Sequence, residues 1–361
     1  METSYQIAEN LISSSPSTRY QGSKRRVLPW LYESFKQLKF ETALDAFGGT
    51  ASVSYLLKLM GKTVTFNDML LSNYQTGLAL IENNTVTLEE RDLDFVLCDN
   101  GFKYTSFIQQ TFKGIYYTDE ENNWLDRVSF NIQMLSLQYT GDTLQKKRAL
   151  AYHSLFQACL CKRPFNLFHR KNLYLRTAEV KRSFGNKKMW DAEFSYLFTR
   201  FAREVSTKVF SNGKANLAMC QDILRLADRE YDLVYLDPPY LRLGANHPID
   251  YYSLYHFLEG LCDYEHWSSS IDWTRENRSL LQRKNEWQAH PLEENFVRIF
   301  EKFRNSILVI SYGKPGTPSI ETIVQLLGRF KNHISTAEQP YAYRLNRNNQ
   351  SGLHEVLIVG W

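Results

Sequence analysis

Short apolar runs alternate with helical periodicity near the start of the chain, and this alternation limits the possible folds more than any other feature. The apolar run 42–47 predicts a buried strand that ends at Gly48-Gly49, and apolar spacing over 53–60 predicts a helix that Gly61 stops. Alternation at 64–66 predicts a second strand, and Asn67 and Asp68 follow it. Strand, glycine turn, helix and strand form a βαβ unit, which predicts a mostly parallel α/β sheet.

The same pattern returns near residue 216. Strands are predicted at 217–219, 231–236 and 307–310, and a helix at 318–327. The runs 341–345 and 354–359 face each other across a turn that contains Asn and Gly, which predicts a β-hairpin. We therefore expect a mostly parallel sheet with a C-terminal antiparallel hairpin.

Two stretches interrupt this α/β pattern. The first, 76–210, is mostly helical, and the second, at about 245–300, is polar and carries tryptophans. A long helical stretch between two α/β segments is typical of an inserted domain. We predict a catalytic domain in two parts, 1–75 and 211–361, with an inserted region at 76–210 and a smaller insertion at about 245–300.

Composition indicates the class of protein but not its partner. A balance of 43 Lys and Arg against 39 Asp and Glu gives a net charge of +4. This net charge is too small to predict a nucleic-acid partner unless the basic residues are clustered. The five cysteines form no Cys-x-x-Cys pair and have no zinc-type spacing, so we expect a reduced, intracellular, metal-free protein. The chain shows no secretory signal and no apolar run of membrane-spanning length, which predicts a cytoplasmic, nucleoid-associated protein without membrane contact.

The segment Asp237-Pro238-Pro239-Tyr240 directly follows a predicted apolar strand. In open α/β sheets, ligands bind outside the carboxyl ends of the strands. The aspartate and a prolyl carbonyl offer two acceptors to an exocyclic amine, and the tyrosine ring can stack on a base, so the segment suits a flipped nucleobase. The alternative is a turn in which Asp237 caps a following helix.

The glycine loop 45–51 lacks the Gly-x-Gly-x-x-Gly spacing of dinucleotide sites, which disfavours a dehydrogenase. The loop still permits close approach of a ligand. Asp68 follows about twenty residues later at the end of the next strand, where a carboxylate can accept hydrogen bonds from ribose hydroxyls. A nucleoside-containing cofactor is predicted, and the alternative for Asp68 is a helix cap or turn residue.

Together these motifs resemble the DNA adenine methyltransferases of the Dam-like type, which take a methyl group from S-adenosyl-L-methionine. The matching segments stand in the family's order at 19–24, 45–50, 67–68, 220–222, 237–240, 255–260, 311–313 and 318–319. The resemblance implies an α/β, Rossmann-like, S-adenosylmethionine-dependent methyltransferase sheet with an inserted target-recognition domain. The sequence departs from the family at Ala51, where many relatives have a further glycine.

The resemblance also implies an activity and its residues. A methyl group would pass to the exocyclic amine of a flipped adenine in double-stranded DNA, and the Asp-Pro-Pro-Tyr segment would hold that base. The cofactor contacts would come from Tyr20, Lys24, Asp45, Phe47, Gly48, Gly49, Asp68 and Asp222. Among these, Lys24 would lie near the methionine carboxylate, Asp68 would bind the ribose and Asp222 would lie by the adenine. Such enzymes serve as the modification partner of a restriction endonuclease that acts on the same site.

A strongly basic segment lies inside the predicted insertion. Between 162 and 188, nine basic residues are opposed by a single acid, Glu179, and aromatic residues interleave with them. Phosphate and base contacts could both come from such a surface, so we expect it to bind DNA. The alternative is an ordinary solvated basic face. The nine basic residues are Lys162, Arg163, Arg170, Lys171, Arg176, Lys181, Arg182, Lys187 and Lys188.

Three other functions remain open at the level of sequence. The same motifs can serve the exocyclic amine of cytosine. A catalytically silent DNA-binding protein could keep the fold as a scaffold, although the intact Lys24, Asp68, Asp237 and Tyr240 disfavour this. Methylation of a protein or small-molecule amine is disfavoured by the basic, aromatic insertion.

Overall fold

In a computed structural model, the described part of the chain comprises residues 10–11, 13–180, 187–242, 249–283, 286–340 and 354–361. Within these residues, seven strands form one sheet in the order β3-β2-β1-β4-β6-β9-β8, and β5 pairs with β7 separately. The strands are Thr42–Asp45 (β1), Thr63–Asn67 (β2), Leu217–Met219 (β3), Leu233–Leu236 (β4), Leu241–Arg242 (β5), Ile307–Lys314 (β6), Gly316–Thr317 (β7), Ile334–Pro340 (β8) and His354–Gly360 (β9).

The sheet is mostly parallel, with an antiparallel end. Strands β3, β2, β1, β4 and β6 run parallel, whereas β9 pairs antiparallel with both β6 and β8. From β1 the chain builds outward through β2 to β3, and it then returns to the other side of β1 with β4. The strand order reverses between β1 and β4, and a crevice opens at such a reversal beyond the carboxyl ends of the strands. A mostly parallel, Rossmann-like sheet with an antiparallel end is the fold class that we expected.

Helices cover both faces of the sheet and form most of the predicted insertions. Some of their starts carry recognisable caps: Ser319 Oγ accepts from Thr322 N, and Thr118 forms a reciprocal capping box with Glu121. The α-helices are Leu28–Phe35, Ser52–Leu59, Leu71–Gly77, Glu90–Leu97, Phe107–Thr111, Asp119–Met134, Gly141–Cys161, Tyr174–Thr177, Lys187–Asp191, Phe194–Ser206, Tyr251–Cys262, Trp267–Ser270, Glu286–Ala289, Leu292–Lys302 and Ile320–Leu327. Short 3-10 turns lie at Lys24–Val27, Leu135–Leu137, Pro164–Asn166 and Ile223–Arg225, and a π-helical turn lies at Leu78–Glu82.

Three buried apolar clusters organise the molecule. Alternate residues of the central strands point to opposite faces, so Leu233 and Tyr235 join one cluster whereas Val234 and Leu236 join another. The third cluster belongs to the helical part and contains residues from Leu93–Ala202 as well as from Tyr255–Leu280. The two predicted insertions therefore share one hydrophobic core, although they are separate in sequence.

The strand that pairs with the last strand is not the predicted one. The predicted hairpin run 341–345 lies outside the described residues, and the observed partner of β9 is β8 at Ile334–Pro340. Most of β8 is exposed and polar, as an edge strand permits, so it lacks an apolar signal. Among the helices of the described residues, none combines the length and hydropathy that crossing a bilayer requires.

Candidate active site

An open cleft lies beyond the carboxyl ends of β1 and β4, where the strand order reverses. It encloses about 1340 Å³ of space, part of it continuous with solvent. All twelve residues predicted for the cofactor and the target base line it, namely Tyr20, Lys24, Asp45, Phe47, Gly48, Gly49, Asp68, Asp222, Asp237, Pro238, Pro239 and Tyr240. Their convergence follows from the topology, because these segments follow or flank neighbouring parallel strands.

The glycine loop bends sharply after β1. A side chain at Gly48 would come within 2.1 Å of the Phe66 ring, and Gly49 has a φ of +50°. Gly49 N donates to Asp68 Oδ2 at 2.8 Å, which ties the loop to the end of β2. Ala51, the departure from the family pattern, takes a left-handed conformation with a φ of 59°. Such a conformation costs an L-residue roughly 1–2 kcal/mol, a cost that a glycine at this position would avoid.

Asp45 is a buried carboxylate with one unused oxygen. Its Oδ2 accepts from Ser54 N at 3.1 Å and Ser54 Oγ at 2.7 Å, whereas its Oδ1 is buried and has no hydrogen-bond partner. Burial raises the pKa of Asp45 to about 7, because the charged form loses its hydration, although the Ser54 bonds oppose this. An unsatisfied acceptor on the wall of the cleft suits a ligand that carries a cationic or N–H donor.

The acids after β2 and β3 are held by backbone N–H groups. Asp68 Oδ1 accepts from Leu70 N at 2.8 Å, so both its oxygens are oriented by the protein. Burial raises the pKa of Asp68. Asp222 accepts from Leu224 N at 3.0 Å and from Glu286 N at 2.8 Å. Carboxylates held in this way keep free lone pairs at fixed positions, which suits them to bind hydroxyl or amine groups of a ligand.

At the end of β4, Asp237 forms an ion pair with Lys24. Lys24 Nζ lies 3.0 Å from Asp237 Oδ1 and 2.8 Å from Glu355 Oε1, with all three side chains largely buried. Burial raises the pKa of Asp237 to about 6, while the Lys24 ammonium opposes the rise. Burial alone would lower the pKa of Lys24, but Asp237 and Glu355 outweigh it and hold that pKa well above the usual value. The Lys24 ammonium thus remains charged beside the Asp-Pro-Pro-Tyr segment.

Tyr240 lies against β6. Its ring centroid is 4.6 Å from that of Tyr312, and a side chain at Gly313 would come within 2.0 Å of its hydroxyl. The glycine therefore leaves the space in which Tyr240 sits. On the other side of the segment, Trp287 Nε1 donates to Pro239 O at 3.0 Å, and the Trp287 ring packs edge-on against Phe47.

Tyr20 and Tyr251 line the remaining wall, and both stack with the buried Tyr255. The Tyr20 ring lies 4.0 Å from that of Tyr255 and 5.7 Å from that of Tyr251. Tyr255 Oη accepts from Gln21 N at 2.8 Å. The helix that carries Tyr251 and Tyr255 also provides Glu259, which accepts from Leu71 N and Ser72 N and so caps the helix after Asp68. This helix of the second insertion therefore helps to build the cleft.

The structure corrects the predicted DNA surface at three of its nine basic residues. Lys162 and Arg176 are buried and bind Glu121 Oε1 at 2.8 Å and 2.6 Å. Arg163 is 1% exposed, donates to the carbonyls of Leu167 and Arg170, and lies over the Tyr116 ring. These three cations are satisfied inside the helical core, so they cannot face DNA.

Of the other six basic residues, Arg170, Lys171, Lys187 and Lys188 are exposed. Lys181 and Arg182 lie outside the described residues. Among the interleaved aromatics, Phe165 and Tyr174 are 51% and 65% exposed, whereas Phe168 is buried. A smaller exposed basic and aromatic surface therefore remains from the predicted one.

Sequence reasoning missed Glu355 and the role of Trp287. Glu355 directly precedes an apolar run, which marks a strand but gives no sign of a buried charge. Trp287 lies in a stretch noted only for its tryptophans. Both contacts join segments far apart in sequence, and only the fold brings these together.

Comparison with known proteins then gives the family. The family model of the D12 class N6 adenine-specific DNA methyltransferases matches residues 20–312. The chain belongs to this family. It is also 29% identical over 349 residues to the Type II methyltransferase M2.HphI of Haemophilus parahaemolyticus, which covers 95% of this chain and 96% of that relative. The protein is thus an enzyme, an adenine-specific DNA methyltransferase, as the order of motifs predicts.

Proposed function

We propose that this protein transfers a methyl group from S-adenosyl-L-methionine to the exocyclic amine of an adenine flipped out of duplex DNA, as the modification enzyme of a restriction-modification system. The observation that carries the proposal is the single cleft lined both by the Asp-Pro-Pro-Tyr segment and by the glycine loop with its acids. A methyl transfer needs donor and acceptor side by side, and this cleft has walls suited to each.

The cofactor half is assigned to the glycine loop and the acids beside it. The unpartnered, buried Oδ1 of Asp45 suits a cationic donor such as the methionine ammonium. Asp68 would accept from the ribose hydroxyls and Asp222 from the adenine amine, since backbone N–H groups hold both carboxylates. Tyr20, Phe47, Gly48 and Gly49 would complete this half. When bound, S-adenosylmethionine supplies a methyl group already activated on a sulfonium.

The family resemblance implies that Lys24 lies near the methionine carboxylate. Its ammonium is engaged by Asp237 and Glu355. An ammonium can donate three hydrogen bonds, so a third partner such as a ligand carboxylate is compatible with this arrangement. We propose that Lys24 contributes to both halves of the cleft.

The base half is assigned to the Asp-Pro-Pro-Tyr segment. Asp237 and the Pro238 carbonyl would accept the two hydrogens of the adenine amine and turn its lone pair towards the methyl group. Tyr240, steadied by Tyr312, would stack on the base. Asp237 would ease loss of the amine proton as the new N–C bond forms, and it can do so only as a carboxylate.

Double-stranded DNA is the proposed partner, and the exposed remainder of the basic segment is its proposed contact. Phe168 N donates to Leu254 O at 2.9 Å, which holds the basic segment against the helix Tyr251–Cys262. The first residues of that helix, Tyr251 and Tyr252, line the cleft. Arg170 and Lys171 therefore lie on a loop that is attached to the cleft wall, where phosphate contacts can orient a duplex.

The restriction-modification role rests on the relative named as a Type II methyltransferase. In such a system a cognate endonuclease cuts the same site when it is unmodified.

No metal is proposed for the reaction. The described residues contain no group of three or more His, Cys, Asp or Glu suited to hold one.

The test is methylation of unmodified plasmid DNA by the purified protein with labelled S-adenosylmethionine, followed by nucleoside analysis and modified-base sequencing. We expect N6-methyladenine at one sequence context. Asp237→Ala should keep cofactor binding, measured by calorimetry, and lose methyl transfer. N4-methylcytosine would redirect the assignment to the cytosine amine, and full activity of Asp237→Ala would reject the catalytic role of Asp237.

A further inference from the structure

A buried acid on the last strand lies directly behind the cleft. Glu355 on β9 is 3% exposed, and its Oε1 lies 2.8 Å from Lys24 Nζ. Ser311 Oγ, on the neighbouring strand β6, donates to the same oxygen. A carboxylate is costly to bury without partners, and here one ammonium and one hydroxyl supply them.

Lys24 connects this acid to the Asp-Pro-Pro-Tyr segment. The Lys24 ammonium lies 3.0 Å from Asp237 Oδ1, so it bridges the two carboxylates. The three groups together carry a net charge of −1. If Lys24 faced Asp237 alone, its full positive charge would weaken Asp237 as an acceptor for a proton or a cationic amine. Because Glu355 also binds the Lys24 ammonium, part of the positive charge is balanced by Glu355. Asp237 therefore keeps more of its negative charge.

On the basis of the proposed function, we propose that Glu355 is a positioning residue for methyl transfer. With Ser311, it holds the Lys24 ammonium between strands β6 and β9 and so fixes the orientation and charge of the Asp237 carboxylate. Glu355 acts through Lys24 and touches neither DNA nor cofactor.

This role has a consequence for pH dependence. The charged and titratable groups that act on Asp237 are Lys24, which lowers its pKa, and Glu355, which raises it; Asp45 and Tyr235 also interact with it. If Glu355 becomes neutral, Lys24 acts on Asp237 without an opposing charge, and the pKa of Asp237 falls. The acidic limb of the kcat profile should then move to lower pH. A residue needed only for folding would lower the amount of active enzyme and leave that limb in place.

The experiment compares Glu355→Gln and Ser311→Ala with the wild-type protein. For each, kcat is measured on a saturating duplex from pH 5 to pH 9, and cofactor affinity is measured by calorimetry. For Glu355→Gln we expect kcat at pH 8 to fall roughly tenfold or more, since misplacement of a catalytic group is costly. Its acidic limb should move down by at least about half a pH unit. Ser311→Ala leaves Glu355 charged but removes one of its two partners, so kcat should fall by less and the acidic limb should move little.

Glu338→Gln is the matched control. Glu338 lies on the adjacent strand β8, is exposed, and pairs with Lys314 and His354 away from the cleft. Its replacement should leave kcat and the acidic limb unchanged.

Three outcomes in the variants overturn the role of Glu355 while the proposed function stands. Wild-type kcat in folded Glu355→Gln does so, and so does a reduced kcat with an unmoved acidic limb. If Glu355→Gln does not fold, Ser311→Ala decides, and wild-type behaviour of that variant overturns the proposal. If the wild-type protein methylates no adenine, that result overturns the proposed function, and the role of Glu355 is overturned with it. The two failures are thus distinguishable.

Discussion

At the scale of single residues, the cleft concentrates buried acids whose charged forms are disfavoured. Burial raises the pKa values of Asp45, Asp68 and Asp237, with Asp45 reaching about 7 and Asp237 about 6. A buried carboxylate without a cationic partner destabilises the free protein, and a ligand that brings donors relieves this cost. The site therefore exchanges stability for binding, which is common where function needs unsatisfied polar groups.

Asp45→Asn tests this exchange. Since the folded state raises the pKa of Asp45, the ionised form costs stability; the cost is absent below the ordinary pKa near 4 and complete above about 7. The neutral amide avoids it, so the variant without ligands should gain on the order of 2 kcal/mol of unfolding free energy at pH 8 and much less at pH 5. It should bind S-adenosylmethionine more weakly, because an N–H group can replace the unpartnered oxygen. Urea unfolding at both pH values and calorimetry measure these effects.

Asp232→Asn is the control of opposite sign. Asp232 is exposed and accepts from the N–H groups of Glu41 and Thr42, which lower its pKa. Its carboxylate stabilises the fold above the usual pKa, so the variant should lose stability at neutral pH. A pH-independent effect of Asp45→Asn would contradict the burial argument.

At the scale of elements, local signals predict most of the sheet. Strands β1, β2, β3, β4 and β6 lie where apolar runs predict them. Four of them lie inside the sheet and are mostly buried, and β3 at its edge still buries Ala218. The predicted residues of the cleft also converge, because carboxyl ends of adjacent parallel strands meet at one edge. The sequence does not predict a strand whose only signal is its pairing with another strand. β8 is mostly exposed, so it has no apolar pattern and is recognised only by its pairing with β9.

The basic segment shows the same limit for charges. A run of cations predicts a solvent-facing surface, yet Lys162 and Arg176 find Glu121 about forty and fifty-five residues earlier and turn inward with it. Glu121 also closes the capping box of its own helix. Nothing in the spacing of the basic residues indicates that Glu121 is their partner. Only tertiary packing decides which cations of the basic segment are buried and which are exposed.

Trp287→Phe tests how the second insertion supports the Asp-Pro-Pro-Tyr segment. The phenyl ring keeps the packing against Phe47 and removes the hydrogen bond to Pro239 O. A hydrogen bond of this kind contributes about 1 kcal/mol, so we expect kcat/KM for DNA to fall about fivefold. Steady-state kinetics on a short duplex would measure it.

Trp267→Phe is the matched control. Trp267 is equally buried, but its Nε1 has no hydrogen-bond partner, and it lies in the helical core. It should lose some stability through reduced packing and keep kcat/KM. Equal activity losses in the two variants would show that the Trp287 hydrogen bond has no specific role.

At the scale of the whole molecule, the two predicted insertions share one hydrophobic core. Residues from 93–202 and from 255–280 share a core, and the helix Tyr251–Cys262 joins that core to the cleft through Glu259 and its tyrosines. DNA held by the helical part would therefore be held in a fixed position relative to Asp237. With a net charge of only +4, attraction to DNA depends on where exposed cations cluster rather than on overall charge.

The double variant Arg170→Ala, Lys171→Ala tests this location of the DNA contact. Both side chains are exposed on the loop attached to the cleft wall. If both contact phosphates, the slope of log K against log salt should become shallower by about 2, since each phosphate contact releases about 0.9 counterion. Fluorescence anisotropy with a labelled duplex at several salt concentrations measures the slope.

The control is a second double variant, Lys36→Ala with Lys39→Ala. It removes the same charge from another exposed site and should leave the slope unchanged. Equal slopes for both double variants would mean that the basic loop adds only to the general field of the protein and does not seat the duplex.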